Sequence, residues 1–247
     1  MPRRLEKSGF WVWVTAVIFY PIAWLGKMTT KGAENIRREG GVLLVMNHIS
    51  HLDPPMDAVF VHRNGRVPRF LAKDSLFRTP VFKYMISGAG SIPVYRASAA
   101  AGDSLVAARE ALRNGKLVVI YPEGTITKDP EGWPMRSRTG VARLAMECLE
   151  HDIPVITAAR WGTRDILNGY TRKFRPFPRK KITLDVSEPV DMSEFKGRDL
   201  DNDLLREVTE FLMTRVREQL AGLRDEQAPE EFYNPAKAKK KSAGADG

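Results

Sequence analysis

The stretch Asn47-His48-Ile49-Ser50-His51-Leu52-Asp53-Pro54-Pro55 brings two imidazoles, a hydroxyl and a carboxylate close together in the chain. It follows a short apolar run, 42–46, that reads as a strand, so these groups should stand at the strand's C-terminal edge, where α/β folds gather reactive side chains. His48 and Asp53 are separated by four residues. A tight turn or the opening of a helix can fold the carboxylate back against one ring nitrogen. The carboxylate would then fix the imidazole tautomer and stabilise the imidazolium formed when His48 takes a proton, which is general-base chemistry. Two other chemistries could use the same residues. A His48-x-x-His51-x-Asp53 metal site is one, but a catalytic zinc needs a further ligand and a supporting shell, and the remaining histidines are only His62 and His151. A serine nucleophile is the other, yet Ser50 lies in no Gly-x-Ser-x-Gly elbow.

Two further strand ends carry suitable groups. The run Gly90-Ser91-Ile92-Pro93-Val94-Tyr95-Arg96 finishes in an arginine, whose planar fork suits a phosphate. The run Tyr121-Pro122-Glu123-Gly124-Thr125 sets a carboxylate, a flexible glycine and a hydroxyl after a strand. In a parallel sheet it would lie in the same layer as His48. Taken singly, Arg96 could be a surface charge and Glu123 a turn residue.

Short β-rich apolar runs at 42–46, 67–71, 91–95, 117–121, 154–158 and 181–186 alternate with segments of helical period at 55–62, 80–87, 104–114, 140–149 and 201–223. Gly115 is placed to stop the third of those helices. In the last helix, Leu204, Leu205, Val208, Phe211, Leu212, Val216 and Leu220 recur at helical spacing, which is core packing. The alternation predicts an α/β fold, a layered sheet of mixed, largely parallel strands flanked by helices. The 247 residues suffice for one such unit with appendages, and an apolar fraction of 43% can fill its core. We expect an N-terminal segment over 1–30, a catalytic domain over 31–226 and a basic, disordered tail over 227–247 bearing Lys237, Lys239, Lys240 and Lys241.

The formal charge of +9 points to an anionic partner, either nucleic acid or an acidic lipid surface. No zinc-finger spacing or aromatic RNA-binding signature is present, whereas long apolar segments lie beside basic ones, so lipid is expected and nucleic acid is not. From Phe10 to Leu25 the chain has no charge and contains Trp11, Trp13 and Trp24, with Arg3, Arg4, Lys7, Lys27 and Lys31 flanking it. As a helix this run measures roughly 24 Å, short of a bilayer core of about 30 Å. Pro21 should break or kink it, which suits a segment lying in one leaflet with its tryptophans at headgroup level. No small-x-small cleavage site follows Leu25, so a signal peptide is not expected. Six cations interleave with Phe174 and Phe177 between Arg172 and Lys181, as an interfacial surface would, though a solvated loop reads the same. The single cysteine, Cys148, excludes an internal disulfide and reads as a buried thiol in a reducing compartment. The expected location is the cytoplasmic face of the cell membrane, peripheral or monotopic.

Taken in order over 47–160, these segments resemble the glycerolipid acyltransferases, typified by the lysophosphatidic acid acyltransferases. The family's Asn-His, four residues, Asp block is matched by Asn47, His48 and Asp53, its glycine-to-arginine strand by 90–96, its Phe-Pro-Glu-Gly-Thr-Arg block by 121–125, and its apolar strand with proline by Ile153-Pro154-Val155-Ile156. Ile126 stands where the family usually has arginine, so one phosphate-binding charge is missing or comes from Lys128, Arg136 or Arg138. The resemblance implies an acyl-CoA or acyl-carrier-protein donor, no metal or other cofactor, and a lysophosphatidate-type acceptor. It also implies direct attack by the acceptor hydroxyl with His48 and Asp53 catalytic. Asn47, Arg96, Glu123, Gly124 and Thr125 would then bind substrate, with Glu123 holding a hydroxyl or bracing a basic side chain. Rival readings are a basic nucleic-acid binder and a hydrolase of the thioester donor.

Overall fold

The computed structural model of the protein describes residues 9–37, 39–94 and 101–238. In chain order these form α1 (Phe10–Trp24), β1 (Gly26–Lys31), β2 (Val42–Met46), α2 (Asp53–Arg63), β3 (Pro68–Lys73), α3 (Pro80–Gly88), β4 (Ile92–Val94), α4 (Ala101–Arg113), β5 (Leu117–Ile120), α5 (Gly140–Glu150), β6 (Val155–Trp161), α6 (Thr163–Ile166), β7 (Lys180–Pro189) and α7 (Asn202–Arg224). The seven strands make one sheet in the order β1-β7-β6-β2-β5-β3-β4. Neighbours run parallel throughout except at β6 and β7, so β1 and β7 oppose the other five strands. A mixed, largely parallel sheet flanked by helices is the fold class the sequence predicts.

Side-chain alternation explains the layers. Leu43, Val45, Val118, Ile120, Val155 and Ala159 face one side, where α4, α5 and α7 supply Leu112, Val141, Leu144, Leu204, Val208 and Leu212. Val42, Leu44, Met46, Leu117, Val119, Ile156 and Ala158 face the other, against Phe60 and Val61 of α2. The central strand β2 is buried on both faces, which is why it reads as an unbroken apolar run with no period of two. At the start of α7, Asp201 caps the helix by accepting from the amides of Asp203 and Leu204.

Three expectations differ from what is observed. The edge strand β1, GKMTTK, was not legible, because it is polar and mostly exposed and pairs only with β7. Helix α1 runs through Pro21 without a break and ends at Trp24. Proline there removes only one donor, near the helix end, while Ala23 is held against Met56, Val59 and Ile182. Part of the expected tail is folded: Phe232 packs against the core beneath Arg217, whose guanidinium lies 4.4 Å from its ring centroid, and the Tyr233 carbonyl accepts from the Arg136 amide at 2.9 Å. Lys239, Lys240 and Lys241, like Arg3, Arg4 and Lys7, lie outside the described residues. Cys148 is buried, and desolvation followed by the nearby Glu147 charge pushes its thiol far up.

Candidate active site

The ends of β5, β2 and β6 lie side by side because those three strands are parallel neighbours. Chain leaving β2 turns directly into α2, whose first residue is Asp53, and the Asp53 carboxylate folds back over that turn. Its Oδ2 accepts from the amides of Ile49 at 2.7 Å and Ser50 at 2.8 Å and lies 2.9 Å from His48 Nδ1. A carboxylate at that nitrogen selects the Nδ1–H tautomer, leaving Nε2 with a lone pair. The His48 side chain is 14% exposed, and its Nε2 has no protein partner among the described residues, so it is the ring's open side.

Asp53 itself is fully buried. Burial alone would raise its pKa, but the hydrogen bond and charge of His48, then Arg160, then the Thr163 hydroxyl at 2.6 Å, outweigh it and hold the carboxyl below its ordinary range. Placement at the first turn of α2 acts in the same direction, since a helix N-terminus favours an anion. Tyr121 stacks on the imidazole with ring centroids 4.5 Å apart and planes 19° from parallel, and Phe70 stacks behind it. Desolvation, followed by the Asp53 charge, pushes the Tyr121 hydroxyl well above its ordinary range, so it remains a donor. The imidazole is thus clamped on one edge and one face.

Other predicted site residues are placed differently. Asn47 is fully buried, its Oδ1 accepting from the Arg160 amide at 2.8 Å and its Nδ2 donating to the Arg160 carbonyl at 3.0 Å. Both polar ends are spent locking β2 to β6, which makes Asn47 a positioning residue and corrects its expected contact with substrate. Glu123 is buried and turned toward the protein's own donors. Its Oε1 accepts from the His48 amide at 2.8 Å and its Oε2 from the Met135 amide at 3.1 Å, so it holds the dyad's backbone. Gly124 occupies the left-handed region at φ +69°, and Arg138 lies over it, with Nε 3.3 Å from where a Cβ would stand. Thr125 is exposed. Arg96 lies outside the described residues. The serine-nucleophile reading loses its geometry, because the buried Ser50 hydroxyl donates to the Leu167 carbonyl at 2.8 Å and accepts from the Leu52 amide. His51 is exposed.

Asp57, Arg160 and Thr163 were missed. Arg160 and Thr163 come from sequence far from the dyad, and Asp57 sits one helical turn past Asp53. A cation inside the β-rich run of β6, otherwise uncharged, was the available signal for Arg160.

Burial, offset in part by the amides of His48 and Met135 and the Thr127 hydroxyl, pushes the Glu123 carboxyl from 4.5 up to about 8. Between those values the folded chain holds a proton that the unfolded chain releases. Stability should therefore fall as pH rises through that window, by up to about 5 kcal/mol, and Glu123→Gln should flatten the slope. Urea unfolding from about pH 5 to about pH 8 measures it, and an undiminished slope in the variant would assign the dependence to another group.

A sequence model of the family described as Acyltransferase matches residues 27–161, more than half of the chain. A 1-acyl-sn-glycerol-3-phosphate acyltransferase of Borreliella burgdorferi is 34% identical over 105 residues, 41% of each protein. An N-acylphosphatidylethanolamine synthase of Arabidopsis thaliana is 27% identical over 161 residues, 61% of this chain and 56% of that protein. The matches thus span about half the length of these relatives. The crystal structure of the 1-acyl-sn-glycerophosphate acyltransferase PlsC from Thermotoga maritima shares the fold, with a TM-score of 0.61 at 24% identity over 88% of this chain and 81% of that one.

Proposed function

Since this chain belongs to the acyltransferase family, we propose that it moves a fatty acyl group from acyl-CoA or acyl-carrier protein to the free hydroxyl of a lysophosphatidate-type glycerol phosphate, making phosphatidate. The contact of 2.9 Å between His48 Nδ1 and Asp53, with Nε2 left open, is the observation that carries the reading. In the reaction, Nε2 takes the acceptor's hydroxyl proton as the oxygen attacks the thioester carbonyl. The tetrahedral centre then collapses with loss of the thiolate, which needs little assistance as a leaving group. Asp53 stabilises the imidazolium formed in between. No metal or other cofactor enters this sequence of steps.

Acceptor recognition falls to the turn after β5. Ile126 packs against Gly169, where an added Cβ would stand 3.0 Å from Ile126 Cγ2, and so offers no charge. Of the three nearby cations, Arg138 is the one set over Gly124, on the residue next to the carboxylate that holds His48, and we assign it the acceptor's phosphate. Incubating the protein with acyl-CoA and a panel of lysophosphatidate, glycerol phosphate, a lysoglycolipid and phosphatidylethanolamine tests the acceptor. Preferred acylation of lysophosphatidate is expected. Transfer to the amine alone would replace it with N-acylation, and free fatty acid from every mixture would indicate a hydrolase.

Both substrates are greasy, and the proposed working place is the surface of an anionic bilayer, on the cytoplasmic side. Phe10, Trp13 and Val17 of α1 are 69%, 62% and 54% exposed and recur at helical spacing. Trp24, at the helix end, meets Phe177 edge-on and lies 4.6 Å from the Arg179 guanidinium, which joins the stripe to the basic 172–181 segment. No helix among the described residues is long and apolar enough to cross a membrane. Replacing Phe10 and Trp13 with Ser should weaken binding to phosphatidylglycerol-containing vesicles on the order of 10²-fold, and sedimentation with vesicles reads it. Undiminished binding would move the docking face elsewhere.

A further inference from the structure

Behind the dyad lies a second carboxylate that the reaction above does not use. Asp57, one turn beyond Asp53 on α2, is fully buried, as is Arg160. Asp57 Oδ2 accepts from Arg160 Nη1 at 2.7 Å and from the Tyr121 hydroxyl at 2.5 Å, while its Oδ1 pairs with Arg160 Nη2. Arg160 Nη1 also donates to the Asp53 carbonyl at 3.1 Å and stands 3.7 Å from Asp53 Oδ1. Tyr121, held by Asp57, is the ring stacked on His48.

The titratable and charged groups that the described elements set around the imidazole are Asp53 and Asp57 from α2, Tyr121 and Glu123 after β5, Arg160 from β6, and Arg138 over the Glu123–Gly124 turn. Of the three groups that are fully buried, two are negative and one positive. While the Glu123 carboxyl keeps its proton, Asp57 cancels Arg160 and leaves one uncompensated negative charge, on Asp53, directly at His48 Nδ1.

We propose that Asp57 and Arg160 are positioning residues that set the proton affinity of His48, their opposed charges leaving the site one negative charge that an imidazolium completes. Without Asp57, the arginine's charge would fall wholly on Asp53 and weaken the carboxylate's hold on a protonated ring. Without Arg160, two carboxylates would face the ring and strengthen that hold. In a water-poor site a unit charge set against the ring's own counter-ion, as Arg160 is at 3.7 Å from Asp53 Oδ1, moves a titration by about one pH unit. The inference rests on the reading of His48 as general base.

The test compares Asp57→Asn, Arg160→Gln and the double variant, reading the acid limb of kcat/KM with one fixed acceptor and the NMR titration of the His48 ring protons. Asp57→Asn should move both midpoints about one unit toward lower pH and Arg160→Gln about one unit toward higher pH, and the double variant should return them to the parent position. Midpoints that stay fixed, or that move the same way in both single variants, overturn the proposal. An acid limb set by the acceptor's own phosphate would stay put in every variant, and the NMR titration separates that case. Asparagine at position 57 keeps an acceptor oxygen for Tyr121. Should Arg160→Gln prove too unstable to fold, a thermally intact Asp57→Asn therefore decides alone. If His48→Ala is inactive and the midpoints do not move, only this inference fails; if His48→Ala retains full activity, the general-base reading fails first.

Discussion

Exchanging His48 for Ala should lower acyl transfer about 10²- to 10⁴-fold with little change in melting temperature, the loss expected when a positioned general base is removed. The two effects separate because of where the ring sits. Its backbone is pinned independently, by Glu123 at the amide and by Thr127 donating to the carbonyl at 2.7 Å, so the turn does not depend on the side chain. What folding loses is one partly exposed hydrogen bond to Asp53, worth about 1 kcal/mol, and a stack on Tyr121. Steady-state rates beside a thermal melt would decide, and an inactive variant that had also unfolded would say nothing about the base.

A second large effect is expected at Asp53, for a different reason. Asn in its place can still accept from the Ile49 and Ser50 amides and from His48 Nδ1 through one oxygen, so the turn keeps its shape. It cannot stabilise an imidazolium by charge, and its amide nitrogen would meet the Thr163 hydroxyl and the Arg160 guanidinium where an anion now sits. The rate should fall on the order of 10²-fold or more with KM nearly unchanged, because the lost interaction exists only while the proton is on His48. Stability should fall too, since a buried arginine loses part of its counter-charge. Asp53→Ala should be worse, by about 3–5 kcal/mol, stranding four donors at once: the Ile49 and Ser50 amides, His48 Nδ1 and the Thr163 hydroxyl. Because the two residues act as one unit, the rate of His48→Ala should not drop further when Asp53→Asn is added.

The pairing of His48 with Asp53 was readable because it is local: both groups lie in one turn, and the apolar run before it fixes which end of the sheet carries them. The sheet's core strands were readable for a related reason, since 42–46 and 117–120 are buried on both faces and carry nothing polar. Roles that depend on distant partners were not. Asn47 sits beside His48 in sequence, yet its partner is the backbone of Arg160, 113 residues away. Glu123 looks like a ligand group until Met135 and the His48 amide are seen to occupy both its oxygens. The Asp57–Arg160 pair spans 103 residues and has no local signature beyond a charge inside an otherwise uncharged strand. At the edges of the fold, a polar strand such as β1 offers no alternation to detect, and Phe232 announces a docked segment only after the face of α7 that receives it is known.

In the proposed reaction the acceptor hydroxyl, and not the protein, attacks the thioester, with His48 taking the proton. Rapid-quench incubation with radiolabelled acyl-CoA tests it most directly, first without acceptor and then on addition of lysophosphatidate, with His48→Ala alongside. We predict no label on the protein and no free fatty acid before the acceptor is added, then labelled phosphatidate at a rate that His48→Ala reduces at least 10²-fold. Label trapped on the protein, or phosphatidate formed by His48→Ala at the parental rate, would contradict the account.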